Sequence, residues 1–145
     1  MTTILTQMVA RLLFLPALMV ALATLVKGYS DTGDGFTAGV IAALAVLLQV
    51  VAFGEAEVAR RLPLHLAPTV SLAGLIVALV VTFSSMVRGD PIMTHVPAPG
   101  TTVLHLGSVE LISAFLFDIG VFLLVFGFVV SAIVIIAETG NQRRR

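Results

Sequence analysis

The sequence contains no cysteine, no tryptophan and a single tyrosine. Without cysteine there is no disulfide framework, no thiolate metal site and no thiol redox relay. With Tyr29 as the only Tyr or Trp, the usual aromatic belt of a membrane protein is weak. Charge is scarce as well: 11% of residues are charged, against roughly a quarter in soluble domains. Eight basic and eight acidic residues cancel, so no basic excess points to nucleic acid as a partner. What is plentiful is apolar surface, with 59% hydrophobic residues over 145 positions. The mean hydropathy is +1.12. Such a chain cannot cover itself with a water-facing surface. The lipid bilayer is the solvent that fits.

The expected fold class is an all-α membrane protein with four transmembrane helices and both termini cytoplasmic. The apolar stretches run over about 4–26, 36–53, 66–87 and 109–137 of a single membrane domain, 1–145. Each is long enough to span the hydrocarbon. Lipid leaves no partner for open backbone groups, so the spans must be helices. Pro16 lies inside the first span and is expected to kink it. Ala21-Leu22-Ala23 has the look of a signal-peptide cleavage site, but no basic residue precedes Arg11, so the first span is expected to be retained. With four spans, Arg11, Arg60, Arg61 and Arg143 to Arg145 share one side, and Lys27 and Arg88 the other. The richer side is expected to be cytoplasmic.

Small residues recur at helical spacing in every span: Ala17, Ala21, Thr24 and Gly28; Gly35, Gly39 and Ala43; Ser71, Gly74, Ala78, Thr82 and Ser85; Ser113, Gly120, Gly127 and Ser131. Such stripes let helix backbones approach closely. Gly74, Gly120 and Gly127 are expected packing positions. Packing within the chain is the expected role of each stripe, and docking of some of them onto other subunits is the alternative.

Asp118 is the most informative residue. It lies in the fourth span between Phe115–Phe117 and Ile119–Phe126. A carboxylate near mid-membrane costs about 2.5–3.5 kcal/mol, and such residues are usually partnered and often functional. At about 100° per residue, Asp118 is about 160° from Gly120. If the glycine stripe packs within the bundle, Asp118 is expected to point toward a second partner or a polar cavity. Three roles stay open: a protonated hydrogen-bonding group, a member of an ion or proton path, and an assembly salt bridge. Glu110, two turns upstream and about 80° away around the axis, is the second ion-path candidate. Gln49, deep in the second span, reads as interhelical glue.

Other motifs carry less. His65, His95 and His105 sit in or beside loops, unlike the facing or clustered histidines of haem and metal sites, so no cofactor and no metal is expected. Asp31-Thr32-Gly33 spells the aspartic-protease tripeptide, but that chemistry needs two carboxylates sharing a proton. Arg88-Gly89-Asp90 is read as a chance tripeptide. No catalytic set is expected.

The loop Gly28-Tyr29-Ser30-Asp31-Thr32-Gly33-Asp34-Gly35-Phe36 joins the first two spans, and its glycines permit a tight re-entry into the membrane. Together with Gly39 it resembles the B subunit of the Mrp (Mnh) multisubunit sodium/proton antiporters. That family's loop reads roughly Gly-His-x-x-Pro-Gly-Gly-Gly-Phe-x-Gly-Gly. Gly28, Gly33, Gly35, Phe36 and Gly39 match it. Tyr29 stands at the His, Thr32 at the Pro, Asp34 at the middle Gly and Ala38 at a Gly. Phe117-Asp118-Ile119-Gly120-Val121-Phe122, followed by Val125 and Gly127, is similar to the family's Phe-Asp-x-Gly-Val-Tyr-x-x-Val-x-Gly segment.

The resemblance implies an accessory membrane subunit of an antiporter that exchanges Na⁺ for H⁺ across the cell membrane. It implies other membrane subunits as partners, two of them resembling proton-pumping subunits of respiratory complex I. It implies a component needed for the assembled activity, not an enzyme. The rival readings are a free-standing small membrane transporter and a purely structural scaffold.

Overall fold

The structure, a computed structural model, describes residues 3–27, 33–87 and 107–142; the side chains of Ser85, of 107–114 and of 141–142 lie outside that description. Every element is helical among these residues: α1 (Ile4–Lys27), α2 (Asp34–Phe53), α3 (Glu55–Arg61), a 3-10 turn (Leu64–Leu66), α4 (Ala67–Val87) and α5 (Gly107–Gln142). Four of them, α1, α2, α4 and α5, are long and apolar enough to cross a membrane.

The short helix α3 is an element that hydropathy does not announce. Gly54, at φ 87°, ends α2 and turns the chain. Glu55 and Glu57 then occupy the first turn of α3, and Arg60 and Arg61 the last, which suits the helix dipole at both ends. Glu57 accepts hydrogen bonds from Arg60 and from Arg61, the latter at 2.7 Å. These arginines hold the Glu57 carboxyl below its ordinary range, the Arg61 hydrogen bond contributing most.

The spanning helices form a row, not a closed bundle. α1 packs on α2, α2 on α5, and α5 on α4; among the described residues α1 and α4 do not meet. Half of the α2 span is buried (50%), against 17% of α1 and 22% of α5, so α2 is the most enclosed helix. α2 and α5 run parallel, since Gly35 lies beside Asp118 and Gly39 beside Phe122 and Val125. α1 and α4 run antiparallel to them. The start of α1, the end of α2, α3 and the end of α5 therefore share one end of the molecule.

Close backbone contact holds α4 against α5. A Cβ on Gly74 would lie 2.6 Å from the Gly120 carbonyl oxygen, and one on Gly127 2.5 Å from the Ser71 nitrogen. Ser71 Oγ donates to the Leu124 carbonyl at 3.0 Å across the same contact. Other hydroxyls turn back on their own helices: Thr24 to Val20, Thr82 to Ala78 and Ser131 to Gly127. In lipid, where no water accepts them, such bonds satisfy the hydroxyl protons. An apolar cluster of buried residues, Val46, Val50, Val58, Leu64, Ala67 and Val130 among its members, lies toward the end that carries α3.

Candidate functional site

The two sequence motifs meet at the start of α2. Gly33 precedes the helix at φ 112°, a left-handed conformation that favours glycine. Gly33 itself has no side chain with which to cap the helix. The cap comes from α5 instead: the Gly33 N–H donates to Asp118 Oδ1 at 3.3 Å. The first N–H groups of a helix lack intrahelical acceptors and carry a partial positive charge. A carboxylate at that point satisfies both, which is what lets Asp118 sit 1% exposed.

Gly35 makes the approach possible. A Cβ there would stand 2.9 Å from the Asp118 carbonyl carbon and 3.0 Å from its Cα. One turn on, a Cβ at Gly39 would stand 3.0 Å from the Phe122 carbonyl oxygen. Any larger residue pushes α2 away from α5 and stretches the Gly33–Asp118 bond. Lys27, at the end of α1, reaches Asp34 Oδ2 at 3.6 Å. The start of α2 thus gathers two carboxylates and one ammonium, Asp118 inside and Lys27 largely exposed.

Two expectations about Asp118 change. The Gly120–Gly127 stripe does pack within the chain, against α4, and Asp118 does lie on the opposite side of α5. What stands opposite is α2 of the same chain. Asp118 is not at mid-span: it lies level with the first turn of α2. α5 has 36 residues, roughly 54 Å of helix, so it overruns a hydrocarbon layer of about 30 Å. Position within the apolar run therefore misplaces the carboxylate in depth.

Of the other candidate residues, Asp34, Gly35, Phe36 and Gly39 form the first turns of α2, with Phe36 exposed and the rest facing inward or partly so. Gly28 lies outside the described residues. Glu110 is on α5, but its side chain lies outside them too. No cluster of three metal-binding side chains occurs among the described residues. Gln49 donates to the Ala10 carbonyl of α1 at 2.7 Å, and Gln7 to the Ala52 carbonyl of α2 at 3.3 Å. Gln7 is not singled out by sequence because it sits at the polar start of a span, where a solvated side chain is the ordinary outcome.

The family model described as "Domain related to MnhB subunit of Na+/H+ antiporter" matches residues 5–131. The chain belongs to the MnhB family. The match takes in the α2 start, Asp118 and the Gly120–Gly127 contact, and so covers the whole of this site. Among MnhB-like relatives, the Na(+)/H(+) antiporter B subunit of Bacillus subtilis is 33% identical over 77% of this chain and 77% of its own length. That of Alkalihalophilus pseudofirmus is 31% identical over 77% of this chain and 76% of its own length. A probable K(+)/H(+) antiporter A/B subunit of Rhizobium meliloti is 34% identical over 94% of this chain, which spans 14% of that longer protein.

Proposed function

We propose that this MnhB-family chain is an accessory subunit of a multisubunit monovalent-cation/proton antiporter in the cell membrane, and that Asp118 is its ionisable contribution to the ion route. Its relatives carry the names of Na⁺/H⁺ and K⁺/H⁺ antiporter subunits. Those names support reading it as a transporter component with other antiporter subunits as partners. The observation that carries the Asp118 assignment is a 1% exposed carboxylate docked on a helix N-terminus. Such a group can exchange a proton or a cation while the helix dipole stabilises its charged state. Glu110, about two turns nearer the start of α5 than Asp118, is the second candidate for that route.

Arg11, Arg60 and Arg61 share the end opposite Asp118. Their number supports cytoplasmic termini by the positive-inside rule. In that orientation Asp118 lies toward the outer face.

A second reading is favoured by the bond from Gly33: Asp118 fastens α5 to α2 and nothing more. Asparagine separates the two. Its side-chain oxygen still accepts from Gly33, but it does not titrate. In the assembled complex, Asp118→Asn is expected to keep assembly and lose cation-driven proton exchange, measured in everted vesicles. Asp118→Ala is expected to lose both. An asparagine variant that exchanges normally, beside a failing alanine variant, overturns the ion-route reading and leaves the fastening role.

A further inference from the structure

The row of helices leaves a gap with a definite chemistry. α2 and α5 form its floor through Val46, Phe126 and Val130. α1 supplies one wall with Phe14 and Leu18, and α4 the other with Val70. The 62–66 segment lines one end, and the cavity volume is about 260 Å³. The lining is almost wholly apolar. It continues past Phe14 and Leu62, which it shares with a second cavity of about 190 Å³ whose further walls include Arg11, Gln49, Phe53, Glu57 and Arg61.

One side of the second cavity carries Arg11, Arg61 and Glu57, a single positive charge in net. Arg11 stands 4.9 Å over the Phe53 ring and Arg61 6.0 Å from the same ring. Arg61 shares Glu57 with Arg60. Among the described residues no carboxylate lies within ion-pair distance of Arg11. A guanidinium at the end of two spans, stacked on an aromatic ring and left with donors to spend, is built to take a phosphate. Basic pockets between helix ends recognise anionic headgroups.

We propose that these two adjoining cavities hold one anionic phospholipid from the leaflet on the side of the chain termini, its phosphate on Arg11, with the Glu57-paired Arg61 beside it, and the start of an acyl chain in the apolar gap. The gap is smaller than one turn of a helix about 10 Å across, so a partner helix does not enter it. The basic mouth distinguishes an anionic lipid from a zwitterionic one. The lipid would fill the space that separates α1 from α4 and so brace the open side of the row. The inference rests on the membrane fold and these side chains, and is independent of any ion route through Asp118.

The test uses the full chain in its assembled complex, with a photoreactive amino acid at Leu18, reconstituted in phosphatidylcholine vesicles with or without phosphatidylglycerol. Irradiation and mass analysis are expected to give a phosphatidylglycerol adduct on this chain, in preference to phosphatidylcholine. Arg11→Gln with Arg61→Gln is expected to lower that adduct about tenfold or more. Val70→Phe, which leaves both arginines in place and fills the gap, is expected to lower it as far. Millimolar inorganic phosphate is expected to leave the adduct intact. The proposal is overturned by equal labelling from the two lipids, by an adduct to a neighbouring subunit, or by displacement with inorganic phosphate alone. The last result would assign the arginines to a soluble anion.

Discussion

Replacing Gly35 by alanine tests the contact that brings the two motifs together. The added Cβ would meet the Asp118 backbone at 2.9 and 3.0 Å, where carbon atoms ordinarily keep about 3.5–4.0 Å. Backbone does not swing aside as a side-chain tip does, so α2 and α5 must part by roughly 0.5–1 Å. Overpacking of this kind costs about 1–3 kcal/mol. The Gly33 N–H to Asp118 bond starts at 3.3 Å and passes beyond hydrogen-bonding range on the same movement. Losing a bond to a charged acceptor adds about 1.5–3 kcal/mol. Alanine's better helix propensity offsets about 1 kcal/mol. The expected net loss is about 1.5–5 kcal/mol, read by SDS-driven unfolding of the purified chain in mixed micelles. Gly33→Ala is the control: nothing lies within 4 Å of its would-be Cβ, and only its φ of 112° penalises it. That strain costs about 1–2 kcal/mol, without parting the helices. A Gly35→Ala variant no less stable than Gly33→Ala would refute the close backbone contact.

Two further outcomes follow from the same geometry. The Glu57 carboxyl, held below its ordinary value of 4.5 chiefly by Arg61, contributes stability that is present above 4.5 and lost as pH falls through its lowered value. Glutamate carboxyl shifts followed by NMR in nanodiscs should show Glu57 still charged at pH 4.5, and Arg61→Gln should return it toward the ordinary range. Because the chain has no cysteine, single cysteines report topology without background. Arg60→Cys is expected to react with an impermeant maleimide only in everted vesicles and Lys27→Cys only in right-side-out ones; the reverse pattern would invert the proposed orientation.

Much of this architecture is legible in the sequence. Hydropathy alone marks four helices, because a lipid-facing segment must be long, apolar and helical. The angular relation between Asp118 and Gly120 is legible as well, since both ride on one helix of fixed pitch. What faces Asp118 is not. That depends on the register of α2 against α5, which Gly35 and Gly39 set by tertiary contact and which no single-helix pattern encodes. Depth is misleading for a related reason: the apolar run of α5 shows where a helix suits lipid, not where its partner helix begins. α3 stays hidden because Glu55, Glu57, Arg60 and Arg61 make a seven-residue helix look like a charged loop. The stack of Arg11 on Phe53 is invisible too, joining residues of α1 and α2 that lie far apart in sequence.

The central claim is that the Asp118 carboxyl itself binds and releases the exchanged species at the start of α2. Infrared difference spectroscopy of the assembled complex, recorded on adding Na⁺ or K⁺ at fixed pH, measures this directly. The account predicts a carboxyl band that changes with cation and pH and vanishes in Asp118→Asn. A band for Asp118 that stays constant across both, in a complex that still exchanges ions, would contradict it.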